Sequence, residues 1–152
     1  MVLGATWLRA AASSETWSLT VRDGEGRILH AVVLPDSGFS LRYRNSVYGS
    51  IAEERFEVTD EGQIRLRELA ADDPALLTEY YRLAGAPARS DAGDGRTWTA
   101  TPEQAPLMDQ LPIAATELGE RTLLVPGEPP VALWRLVAGA APAVTLGVER
   151  AR

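Results

Sequence analysis

LRYRNSVYGSIAEERFEV, residues 41–58, decides the fold of this chain because it predicts a β-hairpin. Apolar and polar residues alternate on both sides of Gly49 and Ser50, which is the period-two pattern of two strands joined by a tight turn. The alternation places the strands at residues 39–47 and 51–58. The hairpin therefore has one apolar face and one charged face.

The turn of this hairpin sets the pairing between its strands. A two-residue turn at Gly49-Ser50, with glycine first, pairs Val47 with Ala52 and Asn45 with Glu54. Centring the turn one residue earlier slides the pairing by two residues and leaves the faces unchanged. The charged face is then a solvated ladder of alternating-sign residues with modest ion pairing, namely Arg42, Arg44, Glu53 and Glu57.

Three polar side chains fall in phase with the apolar face: Tyr43, Asn45 and Glu54. In both registers they are direct or diagonal neighbours. A buried carboxylate needs partners, so the residues either satisfy one another, with Asn45 donating to Glu54, or line a pocket for a polar ligand. The sequence leaves both interpretations open.

The rest of the chain predicts more short strands separated by Gly and Pro turns. The expected fold is all-β, an antiparallel β-sandwich or flattened barrel of about 8–10 short strands, in a single domain over residues 1–152. Residues 28–34 are apolar on both faces, which predicts a strand covered on both sides. Residues 86–112 are rich in Pro, Gly and Asp and predict an irregular segment. The remaining strand-like runs are residues 17–21, 63–69, 96–100, 113–118, 121–125, 131–137 and 143–149.

One short helix interrupts the strands at residues 73–84. Asp73 is placed to cap it, Pro74 suits the first helical position and Gly85 suits the position after its end. Five apolar residues recur at helical spacing and predict one face packed on a sheet: Leu76, Leu77, Tyr80, Tyr81 and Ala84.

The composition excludes several classes of function. The chain has a net charge of −6, which disfavours nucleic acid and anionic membranes as partners. It contains no cysteine, no lysine and one histidine, His30. Thiol nucleophiles, Schiff-base lysines, P-loops and two-histidine metal sites within the chain are therefore excluded. We expect no catalytic residue, no metal and no cofactor.

Three remaining candidates are weak. His30 shares a strand face with Ile28 and Val32, which predicts a partly buried histidine with one hydrogen-bond partner. Ser46 lies on the arginine face with no base to activate it. Residues 91–95, DAGDG, are similar to a calcium loop in composition only, since the glycine and the last carboxylate are misplaced.

The sequence contains no apolar run near the roughly 18 residues that a membrane span needs. Residues 1–12 lack a basic n-region, and Arg9 breaks their apolar stretch. They are more typical of a first strand than of an intact signal peptide. These features alone leave the compartment open.

The runs FSLRYRNSVYGSIAEERFEV, GQIRLREL and GERTLLV resemble the bacterial domain-of-unknown-function 1850 family. The match is most specific from residue 39 to about residue 69. The resemblance implies a small, exported or membrane-anchored protein associated with tripartite solute transporters of the TRAP type. The residues of this chain that belong to the family motif next to Asn45 are Ser46, Val47 and Gly49.

The chain departs from that family at one position, since Asn45 stands where the family pattern has histidine. Asparagine replaces histidine as a hydrogen-bond partner but does not titrate near neutral pH. We therefore expect a non-enzymatic binding or accessory module, extracytoplasmic by the resemblance, with a membrane transporter or small polar solute as partner. The alternatives are a protein–protein interaction module without a small-molecule site and, less favoured, a carboxylate-based hydrolase.

Overall fold

The computed structural model describes residues 15–90 and 96–152. The first strand expected at residues 1–12 and the calcium-loop-like residues 91–95 lie outside these ranges. Within them the protein is an antiparallel all-β sandwich, as the sequence predicts. Its two sheets face each other across a common core and do not close into a barrel.

The described ranges contain twelve strands, more than the about 8–10 that the sequence predicts, because three of them are only two residues long. In chain order they are β1 (Trp17–Arg22), β2 (Ile28–Leu34), β3 (Gly38–Asn45), β4 (Ser50–Val58), β5 (Ile64–Ala71), β6 (Ala88–Arg89), β7 (Trp98–Ala100), β8 (Leu107–Met108), β9 (Gln110–Ala114), β10 (Thr122–Leu124), β11 (Val131–Ala132) and β12 (Ala143–Arg150). The first sheet has the order β2-β1-β12-β9. The second has the order β11-β10-β3-β4-β5-β7-β6, and β8 also pairs with β5.

The core lies between the sheets because alternate residues of each strand point inward. Leu19 and Leu146 come from the first sheet, and Leu41 and Leu123 come from the second; all four are almost fully buried. Burying each such leucine contributes about 1.5–3 kcal/mol. A second, smaller cluster lies at the other end of β3, β4 and β5, where the helix covers the sheet.

The β3–β4 hairpin has the predicted faces but a different register. Asn45 pairs with Ser50, and Tyr43 pairs with Ala52, so residues 46–49 form a four-residue loop. Both predicted registers are wrong. Asn45 itself accounts for the longer loop, because its Oδ1 accepts hydrogen bonds from the backbone N–H groups of Val47 and Tyr48.

The outer face carries the expected charged residues, but their ion pairs differ from the predicted ladder. Arg42 lies opposite Glu53 in the register, yet the Glu53 carboxylate is bonded by Arg55 at 3.0 Å, and Arg55 also bonds Glu68 at 2.5 Å. Arg65 binds Glu57 instead. Arg55 and Glu57 therefore have ion-pair partners on β5. The sequence pattern of the hairpin does not show that β5 lies beside β4.

The helix is shorter than predicted. The Asp73 carboxylate accepts from Ala75 N at 2.9 Å, and the helix Leu76–Tyr80 closes with a π-type bond from Tyr81 N to Leu76 O. Arg82 has a φ of 53° and ends the helix, so the expected end at residue 84 is wrong. Leu76 and Leu77 are buried, whereas Tyr80 is exposed.

Two further expectations need correction. β2 is not covered on both sides: it is an edge strand, with Ile28 and Val33 more than half exposed. The run at residues 131–137 forms two strand residues followed by a 3₁₀ turn, Leu133–Arg135. The segment 86–112 contains the short strands β6, β7 and β8 and the first residues of β9 in its described part.

Membrane-spanning helices are not found among the described residues, since none of their helices has the length and apolarity to cross a bilayer.

Candidate functional site

The hairpin carries its polar residues into one end of the sandwich interior. Tyr43 and Asn45 are about 6% and 4% exposed. Glu54 lies opposite Leu41 in the register and therefore diagonal to Tyr43, and its side chain is 16% exposed. All three side chains point inward, as the alternation predicts.

Two residues from outside the hairpin satisfy the Glu54 carboxylate. The Tyr81 hydroxyl donates to Oε1 at 2.8 Å, and Arg121 Nη1 donates to Oε2 at 3.2 Å. The Arg121 guanidinium also lies over the Tyr43 ring, 4.5 Å from its centroid. A carboxylate this far from water requires such partners, so Tyr81 and Arg121 hold the Glu54 side chain in place.

The two tyrosine hydroxyls extend this network. The oxygens of Tyr43 and Tyr81 are 2.5 Å apart. Because the Tyr81 proton points to Glu54, the Tyr43 hydroxyl donates to the Tyr81 oxygen. The order of donation is therefore Tyr43 to Tyr81 to Glu54.

Burial raises the pKa of both hydroxyls. For Tyr81 the negative charge of Glu54 raises the pKa further. For Tyr43 burial is again the main cause, and the Tyr81 hydroxyl partly opposes the rise in pKa. Both groups consequently remain protonated and act as hydrogen-bond donors at neutral pH.

Asn45 does not bond Glu54, so the direct Asn45–Glu54 contact expected from the sequence is wrong. Its Oδ1 accepts from Val47 N at 3.0 Å and Tyr48 N at 3.1 Å. Its carboxamide lies beside the Tyr43 hydroxyl, whose pKa it lowers slightly against the larger effect of burial. Asn45 thus joins the network through Tyr43 and also fixes the loop.

A cleft of about 190 Å³ opens above this network. Tyr43, Asn45 and Arg121 contribute its polar floor. Its other lining residues include Val47, Tyr80 and Leu118. These three apolar side chains are 76%, 52% and 70% exposed and lie around one opening.

The floor of this cleft presents hydrogen-bonding groups. Arg121 supplies a guanidinium, and Asn45 supplies a carboxamide whose oxygen is already occupied by the loop. In the described part of the chain, His, Asp and Glu side chains nowhere gather in threes to hold a metal ion. A carboxylate or carbonyl group suits the floor, and an apolar body suits the walls.

Two of the three family-motif residues lie at the same cleft. Ser46 and Val47 line it. Gly49 has a φ of 61° and closes the loop, a conformation that glycine adopts at low cost. Ser46 is exposed.

His30 lies away from the cleft, on β2. It is half-buried and pairs with Val21 of β1. The expected hydrogen-bond partner of its ring is not found among the described residues.

The sequence interpretation missed Tyr81 and Arg121. The helical spacing places Tyr81 on the apolar face of the helix and gives no role for its hydroxyl. Arg121 carried a readable signal, because it is in phase with the buried residues Leu123 and Val125 and so points inward. The ion pair between Arg121 and Glu54 forms because β10 lies beside β3. The alternation of residues within one strand does not specify which strand is its neighbour.

Comparison of the chain with family models, with curated proteins and with solved structures found no match.

Proposed function

We propose that this chain is a non-enzymatic binding module that holds a small solute in the cleft above Glu54. The solute carries a carboxylate or similar polar group and a short apolar body. By the resemblance noted above, such a module serves as an accessory protein of a tripartite solute transporter, working outside the cytoplasm.

One observation carries the proposal: three exposed apolar side chains surround a polar floor. Val47, Tyr80 and Leu118 are among six large apolar residues exposed in the described part of the chain. Exposed apolar surface at a concave, polar-floored opening is typical of ligand sites. At about 190 Å³ the cleft suits a solute of amino-acid size.

The floor is held in place before a ligand arrives. Arg121 is fixed by Glu54 on one side and by the Tyr43 ring beneath it. A guanidinium held in this way loses little conformational entropy on binding, which favours affinity for a carboxylate.

The test is a thermal-shift screen of small carboxylates and amino acids, repeated on rim variants. Leu118→Ala removes an exposed wall residue, and Leu107→Ala removes an exposed leucine of β8 as the matched control. We expect a hit to raise the melting temperature of the wild type and of Leu107→Ala but much less that of Leu118→Ala. Absence of any hit, or equal responses from the two variants, would contradict the proposal.

A second candidate function is protein–protein interaction through the β2 edge. β2 carries no formal charge over seven residues and exposes Ile28 and Val33, whereas protected edges usually carry charges. The occupant that we consider is β2 of a second copy. Antiparallel pairing centred on Ala31 brings Arg27 of each copy near Asp36 of the other.

Light scattering after size exclusion tests this second candidate. A concentration-dependent dimer that Val33→Lys abolishes and Leu107→Lys retains would support it. A wild-type monomer at high protein concentration would rule it out.

A further inference from the structure

A second hollow lies on the opposite, outer face of the same strands. It has a volume of about 310 Å³ and is lined by the side chains of three arginines, Arg42, Arg44 and Arg135, together with Trp134 and Glu120. Its residues come from β3, β4, β10 and β11, from the segment before β10 and from the 3₁₀ turn after β11. Arg42 and Arg44 are outward-facing in the β3 alternation, whereas Tyr43, which also lines the hollow, belongs to the interior network.

The charge of the hollow is opposite to that of the protein. Three guanidinium groups and one carboxylate give it a local charge of +2, whereas the chain carries −6. Concentrated positive charge in a concave site attracts anions because the field there is focused by the low-dielectric walls.

Two of the arginines have no carboxylate partner among the described residues. Arg42 faces Glu53 across the hairpin, but the Glu53 oxygen is bonded by Arg55. Arg135 lies over the Trp134 ring at 4.6 Å.

Arg44 is the arginine of the hollow that has an ion-pair partner. It contacts Glu120 at 3.5 Å in a pair that is half exposed on both sides. An exposed pair of this kind is weak, so an anionic ligand can compete with Glu120 for Arg44.

The remaining lining consists of Tyr43 and Thr122 together with the apolar residues Ile51 and Ala132 and the ring of Trp134. Ile51 lies opposite Arg44 in the register, and Ala132 lies opposite Thr122. Trp134 adds an indole ring, which stacks well on planar groups. The lining therefore suits a ligand with a planar body as well as a negative charge.

We infer that this outer hollow binds a small oxyanion, carboxylate or phosphate, joined to a planar unsaturated group. The arginines bind the oxyanion, and the planar group stacks on Trp134. The hollow adjoins the cleft above Glu54, since Tyr43 and Arg44 line both. Trp134 and Arg135 line the outer hollow and not the cleft, whereas Asn45 and Arg121 line the cleft and not the hollow.

The experiment is a titration followed through the indole N–H signals in two-dimensional NMR, with the Trp134 signal assigned by Trp134→Phe. The probes are benzoate, phenyl phosphate, inorganic phosphate and neutral benzamide, each to about 50 mM. We expect saturable shifts of the Trp134 signal with benzoate or phenyl phosphate, and binding of benzamide at least about tenfold weaker. The benzoate and phosphate probes together identify which oxyanion is preferred.

Surface variants complete the test without disturbing the fold. Arg42→Gln is expected to weaken benzoate or phenyl phosphate about threefold to tenfold, whereas Arg27→Gln, an exposed arginine of the β1–β2 turn, leaves affinity unchanged. Glu120→Gln is expected to tighten binding because it frees Arg44. No saturable shift, equal binding of benzamide, or an unchanged affinity in Arg42→Gln would overturn the inference.

Discussion

Two arginine–glutamate pairs on opposite faces of the second sheet differ sharply in their surroundings, although they include the adjacent residues Glu120 and Arg121. The inner pair, Arg121–Glu54, is 23% and 16% exposed and is joined by Tyr81 and by the Tyr43 ring. The outer pair, Arg44–Glu120, is 48% and 50% exposed. Removing one member of the inner pair leaves a desolvated charge without its partner, whereas water replaces a lost partner in the outer pair.

The largest expected effect is that of Arg121→Ala. It deprives Glu54 of its positive partner and Tyr43 of the stacked guanidinium, so we expect the free energy of unfolding to fall by about 2–4 kcal/mol. Urea unfolding measures this. Arg44→Ala is the matched control and should cost less than about 1 kcal/mol. Equal losses of unfolding free energy in the two variants would contradict the difference that we expect between the inner and the outer ion pair.

The second-largest effect is expected from alkaline pH, which should lower the free energy of unfolding by weakening the inner network. The pKa values of Tyr43 and Tyr81 are raised by folding, so their contribution is complete below the unfolded-state pKa near 10 and is lost as pH rises above it. Each tyrosine contributes a decline of about 1.4 kcal/mol per pH unit in that range. Urea unfolding at several pH values between about pH 9 and pH 11 reports it. A free energy of unfolding that stays constant over this range would contradict the buried, protonated hydroxyls.

The Tyr81 hydroxyl can be removed by itself in Tyr81→Phe. Since this hydroxyl donates to Glu54 and accepts from Tyr43, we expect a loss of about 1–2 kcal/mol in the free energy of unfolding. The adjacent Tyr80 is exposed and serves as the control, with Tyr80→Phe changing stability by less than about 0.5 kcal/mol. If both variants unfold alike, the network contributes nothing beyond packing.

The Asn45→Ala variant tests the loop end of the network. It leaves Val47 N and Tyr48 N without their side-chain acceptor, so a loss of about 1 kcal/mol is expected. Ser46→Ala, one residue further into the loop, should be close to neutral. A neutral Asn45→Ala would show that the loop is fixed by other contacts.

The smallest effect is expected from Glu120→Gln. Its exposed pair with Arg44 is screened by solvent, so the free energy of unfolding should change by less than about 0.5 kcal/mol. Thermal unfolding in low and high salt measures the change. A loss as large as that of Arg121→Ala would mean that solvent exposure does not determine how much these ion pairs contribute to the free energy of unfolding.

The sequence predicts the sandwich and the inward phase of the polar residues because period-two alternation is local information. It does not predict the register, because the side chain of Asn45 lengthens the loop by bonding two backbone N–H groups. It also does not reveal that β2 is an edge strand, since strand order depends on contacts distant in sequence.

The partners of Glu54 also could not be predicted from the sequence, because they are distant from it along the chain. Tyr81 comes from beyond β5, and Arg121 comes from the segment preceding β10. The phase of Arg121 with Leu123 predicts that it points inward, yet only the pairing of β10 with β3 shows what it meets.

The central claim is that the fixed floor of Arg121 and Asn45 supports a solute-binding cleft. Backbone N–H shifts recorded during titration with the best carboxylate from the thermal-shift screen test it most directly. We predict saturable shifts confined to the residues that line the cleft, namely residues 43–47, 80, 114, 116, 118, 119 and 121, and weaker binding in Leu118→Ala than in Leu107→Ala. Shifts confined to β2 or to the outer hollow, or no saturable shifts at all, would contradict it.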